Sequence, residues 1–497
     1  MTPYAMLEER FRRVTALEEV TDLLYWDQVT MMPEEGAAAR GEHLTAISIH
    51  LHELLAAPEI ASMLDEAASI DLDSWQRANL AEMRRKHVHA AAVDPALVAA
   101  LSRIAARSEG RWREAKAASD FSLVRPVFAE TLKLVRETAT AKAEKLGITP
   151  YEALMDGFEA GARQDEIDRL FDEYAAFLPE FLPKVMERQA TMPATVALGG
   201  PFPIDRQKGL AHRMMQRLGF SFVAGRLDAS AHPFQIGRIG DVRITARYRE
   251  SDVISGLLAV IHETGHALYD RAVPPDWRFQ PVGKARGTVL HESQALLLEM
   301  QIARSRGFGG VLSAMLNESF PGHEAAFAPG NLMRLMRHVR PDFIRLGADE
   351  VTYPAHVALR YRLERAMIAD ELQVGDLPEA WNVGMKQLLG LDVTSDRDGC
   401  LQDAHWYEGA FGYFPFYSLG AMAAAQLFRA AVRARSEIPG EIAEGRLDAL
   451  RAWLGDNVHG LGSSASTSEI LERATGHRLD CGFLKRHLED RYLEDAA

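Results

Sequence analysis

Apolar residues recur at three- and four-residue spacing along nearly all of this chain, a pattern that excludes most sheet-based folds before any motif is sought. Residues 5–20, 36–56, 75–120, 121–147 and 165–188 all carry it, and Leu170, Phe171, Tyr174, Phe177 and Leu178 mark one helical face. Turns fall at Met32-Pro33-Glu34, Gly147-Ile148-Thr149-Pro150 and Gly199-Gly200-Pro201. The exception lies between about 195 and 250. There Thr195–Leu198, His232–Ile236 and Asp241–Tyr248 read as short strands, the last alternating Val242, Ile244, Ala246 and Tyr248 against polar neighbours. The expected fold class is mainly α with a small β-sheet near the middle. No repeat of solenoid length and no low-complexity linker divides residues 1–497, so a single large domain is expected, with room for two helical lobes.

Charge and cysteine content narrow the function classes. Acidic residues outnumber basic ones 70 to 56, a formal charge of −14, which disfavours nucleic acid and anionic membrane as partners. Two cysteines, Cys400 and Cys481, form neither a disulfide framework nor a CxxC pair, and read as reduced thiols. Met1 to Arg12 contains Glu8, Glu9, Arg10 and Arg12 with no apolar core, unlike a signal peptide. The longest apolar stretch, Tyr417–Val432, is interrupted by Gln426 and Arg429, short of the ~20 apolar residues of a membrane span. A soluble cytoplasmic protein is expected.

Just after the strands comes Ile261-His262-Glu263-Thr264-Gly265-His266, an HExxH motif. Histidines four apart share one helix face, so His262 and His266 can reach a single metal ion. Glu263 is placed to take a proton from a water held there. Ser251 or Asp252 would cap this helix, Ile254, Leu257, Leu258, Ile261, Leu268 and Tyr269 would bury its other side, and Pro274-Pro275 would close it. At this chain's composition a chance HExxH is expected only ~0.04 times, which sets aside two incidental buried histidines. A catalytic zinc needs a third protein ligand and an open position. Glu292 lies 26 residues past His266 in a second helical run after Gly287, with His291 beside it as the alternative.

These segments together resemble the carboxypeptidase Taq family of zinc metallocarboxypeptidases. Leu24-Tyr25-Trp26-Asp27-Gln28 with Met32-Pro33 is similar to its LxWDQ…MP element, and Tyr151 to Asp156 to its YDAL segment. His232-Pro233-Phe234, Asp241 to Thr245, His262 to His266, His291 to Gln294, Ile344 to Asp349 and Gly399 to Trp406 match its HPF, DxRxT, HExxH, HESQ, IRxxAD and GxxQDxHW motifs in the family's order. The resemblance implies a mostly helical fold with a deep groove, similar in outline to neurolysin and angiotensin-converting enzyme. It implies release of single residues from peptide C-termini, and usually a homodimer. It makes His262, His266 and Glu292 the zinc ligands and Glu263 the general base. One departure is Ala295-Leu296-Leu297-Leu298, where members often carry an Arg and a Trp.

The other roles follow from what peptide hydrolysis needs. Negative charge grows on the carbonyl oxygen, so a donor besides zinc is expected. Related gluzincins use a downstream His and Tyr, which points to His405 and Tyr413, with Tyr417 as the second tyrosine. A terminal carboxylate calls for an arginine, and Arg243 and Arg345 are the candidates. Each could instead be structural, Arg243 paired with Asp241 and Arg345 with Asp349. Asp403 is expected to orient His405; His232 and His356 could line the groove, with satisfied structural histidines the preferred reading. Cobalt is an admissible substitute for zinc. An oligopeptidase or dipeptidyl carboxypeptidase would share the metal centre, and a non-enzymatic helical scaffold would require the HExxH to be vestigial.

Overall fold

A computed structural model of the chain describes residues 1–494. Helices predominate, as the periodicity predicts, and form two compact units. One comprises Met1–His87, Pro193–Arg337 and Gly420–Asp480; the other comprises Val88–Met192, His338–Leu419 and the described residues from Cys481 on. The helices that shape the sites are, in chain order, α1 (Pro3–Thr30), α2 (Pro95–Ala118), α3 (Pro150–Asp156), α4 (Ile204–Leu218), α5 (Val253–Ala272), α6 (Gly287–Leu296), α7 (Tyr353–Ile368) and α8 (Pro415–Ala434). Cys400 and Cys481 are both buried thiols. Among the described residues, no single helix is long and apolar enough to cross a membrane.

Local chemistry sets the helix boundaries. Pro3, Pro95 and Pro150 occupy first turns, where a missing N–H costs nothing. Thr2 and Asp94 accept from the N–H groups of Ala5 and Ala96, and Thr149 with Glu152 closes a reciprocal cap on α3. The 75–120 run is therefore two helices rather than one: the first ends at Ala91, and Asp94-Pro95 restarts the chain as α2.

The sheet lies in the first unit, with strand order β1-β3-β2. β1 (Gly225–Ala229) runs parallel to β3 (Asp241–Ala246), and β2 (Phe234–Arg238) runs antiparallel to it. Gly240, at φ +92°, supplies the left-handed residue of the two-residue turn between Arg238 and Asp241. Val242, Ile244 and Ala246 turn inward against Ala211 and Met215 of α4 and Val260 and Ala267 of α5. The sheet is thus the floor on which the metal-motif helix rests.

The strand expected at Thr195–Leu198 does not form. Val196 instead donates its N–H to Asn331 Oδ1 at 2.8 Å and accepts from Asn331 Nδ2 at 2.9 Å. One side-chain amide takes the place of a neighbouring strand. The first strand is Gly225–Ala229, whose Gly-Arg-Leu-Asp-Ala sequence carries too little apolar alternation to announce itself.

Candidate functional site

Asp252 caps α5 by accepting the N–H of Ser255 at 3.1 Å, and the helix presents His262 and His266 one turn apart. Antiparallel packing of α6 brings Glu292 opposite them. Glu292 Oε1 lies 3.9 Å from His262 Nε2, and Oε2 lies 3.7 Å from His266 Nε2. One ligand atom from each of the three falls within 4.8 Å of the others. Four donors around a zinc-like ion at about 2.0–2.2 Å stand roughly 3.4 Å apart, so two imidazoles and a carboxylate in this arrangement fit a divalent cation.

Gly265 makes that approach of helices possible. A Cβ there would stand 2.4 Å from the carbonyl oxygen of Gln294 and 2.6 Å from Ala295 Cα. Any side chain at this position of the motif would push α6, and Glu292 with it, away from the histidines.

Of the two motif histidines, His262 has its ring orientation fixed by a hydrogen bond, whereas His266 Nδ1 has no hydrogen-bond partner among the described residues. Glu299 Oε2 lies 3.0 Å from His262 Nδ1, so Nδ1 carries a hydrogen and Nε2 is the nitrogen left for a cation to occupy in place of a proton. Arg304 holds the other Glu299 oxygen at 2.6 Å. Burial opposes charge on His262, but the Glu299 bond and the charges of Glu292 and Glu263 overcome it and raise the imidazole to about 10. Three carboxylates around one imidazole thus call for positive charge at this spot. Burial foremost, with the nearby charge of Glu292, raises Glu263 to about 7. His291 is not turned to the cation position. Its Nε2 bonds Asp270 Oδ2 at 2.8 Å, and its ring stacks on His266 with centroids 4.3 Å apart.

Arg243 belongs to the same unit. Its guanidinium makes a two-pronged bond to Asp241, at 2.9 and 2.8 Å, and lies 4.3 Å from the Trp26 ring, which Arg226 also approaches at 4.7 Å. Trp26 is buried, and Asp27 pairs with Arg40.

The second unit gathers His405, Tyr413, Tyr417 and Arg345. The His405 and Tyr413 rings lie nearly parallel with centroids 6.5 Å apart, and Tyr417 meets Tyr413 edge-on at 5.1 Å. Burial first, then the charges of Arg345 and Arg360, lowers His405 to about 4, which makes it a neutral donor at ordinary pH. Trp112 and Lys116 of α2 hold this segment's start, donating to the carbonyls of Leu401 and Gln402 at 2.9 and 2.6 Å.

Two sequence expectations fail here. Asp403 does not orient His405: its carboxylate is taken by Arg345 Nη2 at 2.8 Å and Arg360 Nε at 2.7 Å, and Nδ1 of His405 is without a hydrogen-bond partner among the described residues. Arg345 is correspondingly paired with Asp403, not Asp349, which binds the N–H groups of Arg340, Val351 and Thr352. His232 is exposed. His356 is wholly buried, yet neither ring nitrogen has a hydrogen-bond partner among the described residues. Sequence reasoning also missed Glu299, Arg304 and Asp270. The first could have been found from spacing, since residue 299 follows Glu292 by seven, two helical turns along one face. The helix in fact widens into π geometry over Leu297–Ala303, and Glu299 sits in that widened stretch.

Comparison with known proteins agrees with this geometry. The family model described as Carboxypeptidase Taq (M32) metallopeptidase matches residues 6–492. The chain is 33% identical to thermostable carboxypeptidase 1 of Pyrococcus furiosus, with 97% of each chain covered. Among solved structures it is similar to metallocarboxypeptidase 1 of Trypanosoma cruzi (TM-score 0.96, 39% identity, 99% of each chain). It is also similar to the M32 carboxypeptidase of Deinococcus radiodurans R1 (TM-score 0.94, 32% identity, 99% of each chain).

Proposed function

Because the chain belongs to the carboxypeptidase Taq (M32) family and is therefore a metal-dependent carboxypeptidase acting on peptides, we propose that it is a zinc enzyme that releases single residues from free C-termini. The observation that carries the metal reading is the convergence of His262, His266 and Glu292, with Glu299 fixing the tautomer of the first. The donor set of two imidazoles and a carboxylate favours Zn²⁺, with Co²⁺ as a competent substitute.

A divalent ion bound there supplies Lewis acidity and eases deprotonation of water. The chain's own groups do the rest. Glu263 takes one proton from the attacking water at its carboxylate. As oxygen adds to the scissile carbonyl carbon and the C–N bond breaks, it returns that proton to the departing amine nitrogen. His405 and Tyr413 donate to the carbonyl oxygen as it gains charge, supported by their half-buried positions and the neutral state of His405. Tyr417 lines the substrate side of Tyr413. Arg243 or Arg345 binds the terminal carboxylate, and the more accessible Arg243 side chain, 19% exposed against 4%, favours Arg243. Residues 1–497 form a single catalytic domain in this reading, the enzyme works as a cytoplasmic homodimer, and its net charge of −14 keeps it from nucleic acid and membrane.

The test is product analysis on one unblocked hexapeptide. Chelator-treated protein should be inactive, added Zn²⁺ or Co²⁺ should restore it, and the first products should be a free amino acid and a pentapeptide. Dipeptides or internal fragments as first products would favour the dipeptidyl or oligopeptidase reading. Sedimentation at micromolar concentration measures the dimer.

A further inference from the structure

Glu364 lies inside α7 with no exposed surface, and among the described residues no arginine or lysine pairs with it. Its carboxylate instead collects three donors. Trp406 Nε1 reaches Oε1 at 2.8 Å; the Tyr151 hydroxyl and the Gly412 N–H reach Oε2 at 2.6 and 3.1 Å. Burying a carboxyl without an ion-pair partner is costly, and a core side chain of the same size would have avoided it.

What those donors belong to gives the group a purpose. Trp406 adjoins His405, and Gly412 adjoins Tyr413, so one carboxylate fixes the residue next to each of the two proposed oxygen donors. Between them the chain turns through Gly409 and Gly412, both left-handed at φ +77° and +85°. At Gly412 it lies so close to α3 that a Cβ would stand 2.9 Å from Met155 N and 3.0 Å from Leu154 C. Tyr151, from that same helix, closes the third side of the carboxylate. The loop is thus clamped between α3 and α7 with Glu364 as the shared acceptor.

We infer that Glu364 is a positioning residue for the hydrolysis, holding His405 and Tyr413 in register with each other through Trp406 and Gly412. This rests on the assignment of those two side chains as oxygen donors. Either protonation state of the carboxyl keeps an acceptor for Trp406 Nε1 and for Gly412 N, which can only donate, while the Tyr151 hydroxyl can donate or accept. Burial, the largest influence, pushes the carboxyl up to about 7 against those hydrogen bonds. A glutamine of the same shape has only one acceptor, so it must turn its amide hydrogens toward either Trp406 Nε1 or Gly412 N and release one end of the loop.

The test uses metal-loaded enzyme and an N-acetylated peptide with a free C-terminus. Glu364→Gln is expected to lower kcat by about 10- to 100-fold, the effect of misplacing groups by a fraction of an ångström to one ångström, with KM and bound metal unchanged. In a Tyr413→Phe background the same substitution should cost at least about threefold less than in the parent, beyond the scatter of additive pairs. Tyr151→Phe, which removes one donor and spares the loop ends, should give a smaller kcat loss that also shrinks in that background, and it decides the matter if Glu364→Gln does not fold. A kcat within about twofold of the parent for both variants, or an equal cost in both backgrounds, overturns the inference and leaves a structural glutamate. If Tyr413→Phe and His405→Ala are themselves silent, the oxygen-donor assignment fails and this inference falls with it.

Discussion

Gly420 of α8 lies against Glu292 so closely that a Cβ added at residue 420 would stand 2.6 Å from Glu292 Cγ and 2.7 Å from its Cβ. The absence of a side chain at 420 therefore gives the third proposed ligand its space. Gly420→Ala is expected to displace the carboxylate and weaken metal binding by at least about tenfold, in the range of losses caused by disturbing a ligand's supports. Competition against a chelator of known affinity measures it. Parent-like affinity in Gly420→Ala would show that Glu292 has slack.

Glu292→Ala should empty the site, whereas His291→Ala should retain close to one metal per chain, because His291 is engaged with Asp270. Glu299→Gln should fall between them, losing roughly 10- to 100-fold in affinity as the His262 ring loses its carboxylate. Metal content by mass spectrometry after dialysis ranks the three. Loss that tracks His291 would reverse the assignment.

Glu263→Gln should keep its metal and its fold but lose about 10²- to 10⁴-fold in kcat, since the amide cannot carry the proton. Single-turnover kinetics with metal content measured on the same sample separate this from a loss of cofactor. An active Glu263→Gln enzyme would require another base.

C-terminally amidated peptides should be nearly inert beside the free acids. Leaving the carboxylate-binding arginine without its partner costs roughly 2–5 kcal/mol, about 30- to several thousand-fold in kcat/KM. Arg243→Ala should narrow that gap. Arg345→Ala should also destabilise the enzyme, because it strips one of the two arginines from a nearly buried Asp403. Comparing acid-to-amide ratios at matched folded fraction identifies the anchor.

The helical class and the two histidines were legible because both rest on short-range periodicity. The sheet was half legible: Asp241–Tyr248 alternates strongly, whereas Gly225–Ala229 is a strand only because β3 offers it parallel partners. The partner of Arg345 was not legible. Asp349 is near in sequence, but its oxygens are spent on backbone N–H groups, leaving Asp403 to neutralise two buried arginines brought together by the fold. Gly265 and Gly420 were equally silent, since a glycine's value at a close approach depends on which backbone or side chain arrives there.

The placement of the proposed ligands along the chain also bears on how the centre is assembled. Thirty residues separate His262 from Glu292, while Gly420 comes 128 residues after Glu292. Closing the shorter loop needs only the α5–α6 hairpin, and each doubling of loop length adds only about 0.6 kcal/mol. Every proposed ligand therefore lies on one short hairpin, whereas the glycine that gives Glu292 its space is brought back from 128 residues away, so the last wall of the site depends on long-range folding that the hairpin alone does not supply.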